Sequence, residues 1–178
     1  MPGLEDEGFS KSVVYMCEHT ERGALGLVIN KPSDINLKKL FDKVELPLDR
    51  NDLADALVFQ GGPVQTERGF VLHESMMPGL EAVYASTMSI PGGLEMTTSK
   101  DVLEALSSGN GPKKVFVSLG YSAWGEGQLE SEISDNSWLT VAADIAVIFD
   151  TPVEERYAKA MGLLGLESWM LSPDAGHA

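Results

Sequence analysis

The sequence predicts an α+β domain in which strands dominate, and three observations predict it. Short apolar runs with period-two alternation recur from Ser12 to Phe149, each soon cut off by Gly, Pro or Asn. Helical spacing of apolar residues shows in only a few short segments between them, which is the α+β pattern. The chain has 178 residues and no internal repeat, linker or low-complexity block. One compact domain spanning residues 1–178, with a core that needs no staples, is therefore the expectation.

In chain order, residues 12–17 read as a strand, with Val13, Tyr15, Cys17 and His19 on one face and Val14, Met16 and Glu18 on the other. A turn at Thr20–Gly23 leads to a second strand over 24–30, which Pro32 ends by removing a donor. Leu37, Leu40 and Phe41 predict a short helix over 35–43. Residues 57–60 and 69–73 read as strands, with Glu67 and Arg68 in the connection, and 74–98 as loops and short strands. Ser99 reads as the N-cap of a helix carrying Val102, Leu103 and Leu106. A strand over 113–122, a helix over 127–133 and strands over 138–141 and 145–149 follow. Thr151-Pro152-Val153-Glu154 has the pattern of a cap for a last helix reaching Leu164, after which the tail SPDAGHA is expected to fray.

Composition narrows the function classes. A hydrophobic share of 43% and a charged share of 22% are ordinary for a soluble globular protein. The 13 Lys and Arg against 27 Asp and Glu give a net charge of −14, so long-range repulsion disfavours contact with DNA, RNA or anionic lipid. The basic residues are scattered, the tightest pairs being Lys38-Lys39 and Lys113-Lys114. No apolar run nears the ~20 residues needed to span a bilayer. The acidic start MPGLEDEGFSKS lacks the layout of a signal peptide, and Cys17 has no second cysteine to pair with. Together these point to a reducing cytoplasm.

The most informative stretch runs from Lys113 to Trp138, where an apolar strand enters Gly120-Tyr121-Ser122-Ala123-Trp124-Gly125-Glu126-Gly127. Strand ends are where proteins with sheets and helices present chemistry, and glycine lets a backbone approach closely. Tyr121, Ser122, Trp124, Glu126 and Gln128 are therefore candidate binding residues, with Gly61, Gly62, Pro63 and His73 as a second group. The same glycines have a plainer reading as backbone geometry, and Trp124 as core.

Catalytic candidates are weak. Cys17 and His19 lie two apart on a strand, the spacing that sets a thiol beside a base, but free cysteine in an apolar strand is usually buried and inert. Ser122 sits in a string one residue too long for the Gly-x-Ser-x-Gly elbow. His19, His73 and Glu126 lack the close spacing of a zinc site, so neither metal nor cofactor is expected. Gly109–Lys114 superficially suggests a phosphate loop but precedes a strand rather than a helix.

Three blocks carry a family resemblance. Met1–Asp6, Phe9, Ser12–Tyr15, Glu18-His19 and Gly26–Pro32 resemble the opening of the bacterial YqgE/AlgH family. Gly61–Val64 with Arg68–His73 is similar to its middle signature. Leu119–Trp124 with Gly127–Glu130 and Asn136–Leu139 is similar to its third. The resemblance implies a bifurcated, mostly antiparallel sheet folded into a pseudo-barrel with flanking helices, in a bacterial cytosolic protein. It implies no activity; some members carry the label of transcriptional regulator. Members usually have an apolar strand just before the position of Met1, so an unpaired strand edge is expected here. The functional expectation is a non-enzymatic regulatory or adaptor protein that holds a protein partner or small ligand. The alternative is a ligand sensor or enzyme whose pocket is formed by the Gly61–Pro63 and Tyr121–Gln128 loops.

Overall fold

Alternating apolar residues form β1 (Val14–Thr20), and Gly23 turns the chain back into β2 (Gly23–Val28), in a computed structural model that describes residues 11–75, 84–90 and 92–164. Only glycine fits that turn, because a Cβ at position 23 would lie 2.3 Å from the Trp124 carbonyl oxygen. The chain continues through β3 (Pro32–Asn36), α1 (Leu37–Lys43), β4 (Leu57–Gln60), β5 (Val64–Glu74), β6 (Thr87–Ile90), β7 (Leu94–Thr97) and α2 (Lys100–Ser107). β8 (Val115–Trp124), α3 (Gln128–Ser134), α4 (Ile145–Phe149) and α5 (Arg156–Leu163) complete it. The class is α+β, and β4 with β8 is the only parallel pairing among the described strands.

Two compact units share this chain. A central unit runs from Pro32 to Tyr121, and a terminal unit combines the chain up to Lys31 with the chain from Ser122 onward. In the central unit the strand order is β3-β4-β8-β5-β7-β6. Its core gathers Leu37, Phe41, Val58, Val71, Val102 and Val117, and burying each large apolar side chain contributes about 1.5–3 kcal/mol. Asn36 starts α1 by accepting the Lys39 amide at 2.9 Å. In the terminal unit β1, β2 and the last residues of β8 form an antiparallel meander. Trp124 and Trp138, edge to face with centroids 5.6 Å apart, pack there with Leu129.

Several elements differ from the sequence reading. Pro32 opens β3 instead of ending β2; it lies on a strand with one neighbour, where a missing N–H is tolerated. β5 absorbs Glu67 and Arg68, with an irregularity between Val64 and Gly69. Trp138–Val141 joins no ladder among the described residues. Ile145–Phe149 is a helix: the Asp144 carboxylate accepts the Ala146 amide at 3.0 Å, and a short apolar run does not tell strand from buried helix. Thr151 is not a cap, because its hydroxyl donates to the Ala146 carbonyl at 3.0 Å. A single 3-10 turn, Val153–Glu155, then leads into α5. The expected fraying of the tail falls outside the described residues.

Candidate functional site

Among the described residues β1 pairs only with β2. The Ile29 amide donates to the Val13 carbonyl at 2.8 Å, and Val13 and Tyr15 share one register with Ile29 and Leu27. Alternation in an antiparallel ladder then turns the N–H and C=O of Val14 and Met16 away from β2. Residues 139–143 likewise make no backbone–backbone hydrogen bond among the described residues, and Leu139 and Val141 are exposed.

Two cavities lie along this edge. One, of about 160 Å³, is lined by Val14, Met16, Trp124, Leu129, Trp138 and Met161. The other, of about 140 Å³, is lined by Tyr15, Ile29, Ala143, Val147, Ile148 and Leu163. Val13, Val14, Met16, Val141 and Ala160 border both. The Trp124 cluster belongs to the first alone, whereas Tyr15, Val147 and Ile148 belong to the second alone. Val14 and Met16 pack on the Trp124 cluster, and Tyr15 alternates with them along the strand.

Cys17 and His19 do not share a face as period two implied. Met16 opposes Gly26 while Glu18 opposes Leu25, so Cys17 is the extra residue of a bulge and the alternation flips there. His19 then turns to the α3 side and hydrogen-bonds Glu130, and that bond holds the exposed Glu130 carboxyl below its ordinary range. Cys17 is 3% exposed, and burial pushes its thiol up to about 12, so it stays protonated near neutral pH. Ser122 is buried within β8 opposite Gly26, on a strand rather than a strand-to-helix turn.

The candidate binding residues divide between the units. In the central unit the two glycine blocks meet as backbone: the Gly61 amide donates to Leu119 O at 2.9 Å, and Val64 pairs with Tyr121. Gly120 has φ +78°, and a Cβ there would lie 2.5 Å from Gly62 O. Pro63 is exposed, and the half-buried Tyr121 ring stands edge-on to Phe70 at 5.4 Å. His73 has no exposed surface. Its Nδ1–H donates to the Glu74 carbonyl at 2.9 Å, and its Nε2 lies 2.8 Å from Thr97 Oγ1. In the terminal unit Trp124 is 6% exposed, Glu126 is exposed, and Gln128 Oε1 accepts the Gly125 amide at 3.0 Å.

The Gly109–Lys114 loop turns its acceptors inward. The carbonyls of Asn110, Pro112 and Lys113 take hydrogen bonds from the Arg50 guanidinium at 3.0–3.1 Å, and Asp52 grips the same guanidinium at 2.8 and 2.9 Å. That geometry suits a cation, not a phosphate. Among the described residues no group of three His, Cys, Asp or Glu is placed to hold a metal ion. Among the same residues no helix is long and apolar enough to cross a membrane. Sequence reasoning missed Glu95, Thr97 and Thr87, which surround His73, and Val141 and Ala160, which border both cavities. Their roles depend on register between distant segments, for which a single sequence carries no signal.

Comparison with known proteins agrees with this architecture. The AlgH protein of Pseudomonas aeruginosa, whose solution structure is known, is 48% identical and superposes with a TM-score of 0.77, over 100% of this chain and 92% of that one. A Corynebacterium diphtheriae protein at 20% identity shares the fold, with a TM-score of 0.68 over 90% of this chain and 81% of that one. A UPF0301 protein from a Polaromonas species is 87% identical across all of this chain and 91% of its own length. Its counterpart in Variovorax paradoxus is 75% identical across all of this chain and 92% of its own length. The profile of the DUF179, AlgH-like family matches residues 1–169, and the chain therefore belongs to that family.

Proposed function

We propose that this chain is a non-enzymatic regulatory or adaptor protein of the bacterial cytoplasm that works by holding another protein. Any effect on transcription is exerted without a nucleic-acid contact of its own, in keeping with the net charge of −14. The observation that carries the reading is the exposure of Leu139, Val141 and Leu163, at 38%, 40% and 41%, around the two apolar cavities of the terminal unit. Exposed apolar side chains gathered in one place are what a partner surface needs. The side chains that could have served as nucleophile or base are committed elsewhere: Cys17 and Ser122 to the interior, His73 to two hydrogen bonds.

The test is affinity capture from a bacterial lysate with wild type and a Leu139→Ser/Val141→Ser variant, after circular dichroism shows both folded alike. Trp124 is unsuitable for this purpose, since its removal would open the terminal core. A partner held by wild type and lost by the variant supports the reading. Substrate turnover that disappears with Ser122→Ala or Cys17→Ala would sink it.

A second reading, a small-ligand sensor, is favoured by the cavity of about 160 Å³, a volume comparable with cavities that hold a single aromatic ring. Thermal shift against a metabolite and nucleotide set separates the two, because a ligand of the native state must raise stability.

A further inference from the structure

We infer that a cavity of about 180 Å³ in the central unit is a binding site for a free α-amino acid with an apolar side chain. The inference goes beyond the partner-holding reading, which concerns the terminal unit. The floor of the cavity is made by two cross-strand pairs of β5 and β8, Gly69 with Leu119 and Val71 with Val117. Leu40 of α1 and Leu103 of α2 close it from the helix side. Gly69 is why the volume is empty. Gly62 and Gly120 have positive φ, but Gly69 does not. A Cβ at position 69 would meet nothing within 4 Å, so no close approach excludes a side chain either. The irregularity of β5 ends there, since Gly69 is back in register with Leu119. Glycine inside a strand weakens it, and with those reasons absent it marks a place where a ligand can come near. The apolar lining forfeits dispersion contacts that an apolar group over Gly69 would restore.

Charge defines the rest of the ligand. Glu67 of β5 and Lys100, the first residue of α2, both border the cavity and are exposed. Among the described residues neither side chain has a hydrogen bond or ion pair, with the other or with a third group. The hydroxyls nearby are committed: Thr97 to His73, Thr98 to Arg68 at 3.3 Å, and Ser99 to Asp101. A carboxylate and an ammonium on one cavity, not paired with each other, are complementary to a zwitterion. A plain carboxylic acid would set like charge near Glu67, in a chain of net charge −14. A plain amine would leave Lys100 unpaired. In an apolar α-amino acid the ammonium meets Glu67, the carboxylate meets Lys100 and the side chain enters over Gly69. The volume, comparable with cavities that hold a single aromatic ring, sets the size between leucine and phenylalanine.

The experiment titrates the full chain with L-leucine, L-phenylalanine and glycine, and with isocaproate and isoamylamine, which keep the leucine side chain but lack one charge. Calorimetry gives affinity, and amide NMR shifts locate the ligand. Leucine or phenylalanine should bind with shifts at Gly69, Lys100 and Leu103, and glycine should not bind. Each one-charge analogue should bind about tenfold more weakly than leucine. Gly69→Val fills the cavity and should abolish binding, with an unfolding midpoint no lower than that of wild type. Glu67→Gln, at an exposed side chain whose change spares the fold, should weaken leucine about tenfold and leave isocaproate unweakened. Lys100→Gln should weaken isocaproate and leave isoamylamine unweakened. A packing role for these two residues would not sort the analogues by charge. Absence of binding by both apolar amino acids at millimolar concentration overturns the site, as does binding that a folded Gly69→Val leaves intact. Equal affinity for leucine and either analogue overturns the zwitterion. Shifts confined to Trp124, Leu129 and Trp138 put the ligand in the terminal unit and overturn the site too. None of these outcomes bears on partner capture, which Leu139→Ser/Val141→Ser tests in the other unit.

Discussion

The central unit encloses most of its polar side chains, whereas the terminal unit leaves more apolar surface open. In the central unit His73 links Glu74, Thr97 and, through Thr97, Thr87, whose own hydroxyl donates to Tyr84 O at 2.9 Å. The central unit also has a cavity of about 180 Å³, but Glu67, Ser99 and Lys100 share its wall with leucines. The terminal unit has two apolar cavities and exposed Leu139, Val141 and Leu163. Where volume and hydrogen bonds are satisfied, a residue in a sequence motif is serving the fold. Where they are not, the same chain has kept a surface for something else.

The largest effect that sharpens this contrast is Phe41→Ala in the central core. Phe41 is 1% exposed, and its truncation should cost about 3–5 kcal/mol in urea unfolding. Fluorescence of Trp124 and Trp138 reports the terminal unit, and β8 runs through both units. A single domain predicts that fluorescence and circular dichroism shift together in the variant. A fluorescence transition left in place would mean that the two units unfold separately.

Next in size is the one exception to side-chain polar satisfaction among the described residues of the central unit. Glu95 is 6% exposed; its Oε1 accepts the Ser75 hydroxyl at 2.9 Å, and its Oε2 has no hydrogen-bond partner. Holding a charge there costs more than holding a neutral amide. Glu95→Gln should therefore raise stability at pH 7 by about 1–2 kcal/mol. A loss instead would show that the carboxylate is used, and would break the picture of these buried polar groups as scaffold.

How much of this was legible in the sequence follows from the range of the interactions. Helices α1 and α2 come from neighbouring residues, and the sequence showed them, though not the Asn36 cap. Gly61–Gly62 and Gly120 stood out as glycine blocks, but their shared purpose, a backbone approach between β4, β5 and β8, needs the strand pairing. The bulge at Cys17 was invisible, because one inserted residue changes the face of His19 without changing composition. The course of residues 139–143 is less legible still: they join no ladder among the described residues, although Trp138–Val141 has strand-like residues. His73 drew attention as a candidate base, yet its partners come from other elements.

A smaller effect concerns pH. Burial raises the Asp101 carboxyl, but the Ser99 hydroxyl and the amides of Ala85 at 2.8 Å and Val102 at 3.0 Å donate to it and hold it below its ordinary value. A depressed carboxyl stabilises the fold above the unfolded value, about 3.9 for Asp, and that share is lost as pH falls through the folded value. Asp101→Asn should cost about 1 kcal/mol at pH 7, a figure discounted for its exposure. The gap between variant and wild type should close on acidification below pH ~3. A constant gap would assign the effect to packing of the α2 start and not to charge.

The smallest expected effect is at the His19–Glu130 pair in the terminal unit, both of whose side chains are about half exposed. Solvent screens such a pair, and holding two mobile side chains together offsets most of the attraction. Glu130→Gln should leave the urea midpoint unchanged at moderate salt, although the carboxyl of the wild type titrates below its ordinary range because His19 bonds it. Two measurements separate the local event from the global one: an NMR titration of the Glu130 carboxyl, and unfolding of the variant. A depressed carboxyl that moves back up in high salt, with unchanged unfolding, places the pair on the surface side of the contrast. A clear loss of stability would instead make α3 dependent on this bond for its seat over Val14 and Met16. The wall of the first cavity would then be held partly by charge, and ligand binding there should weaken as salt rises.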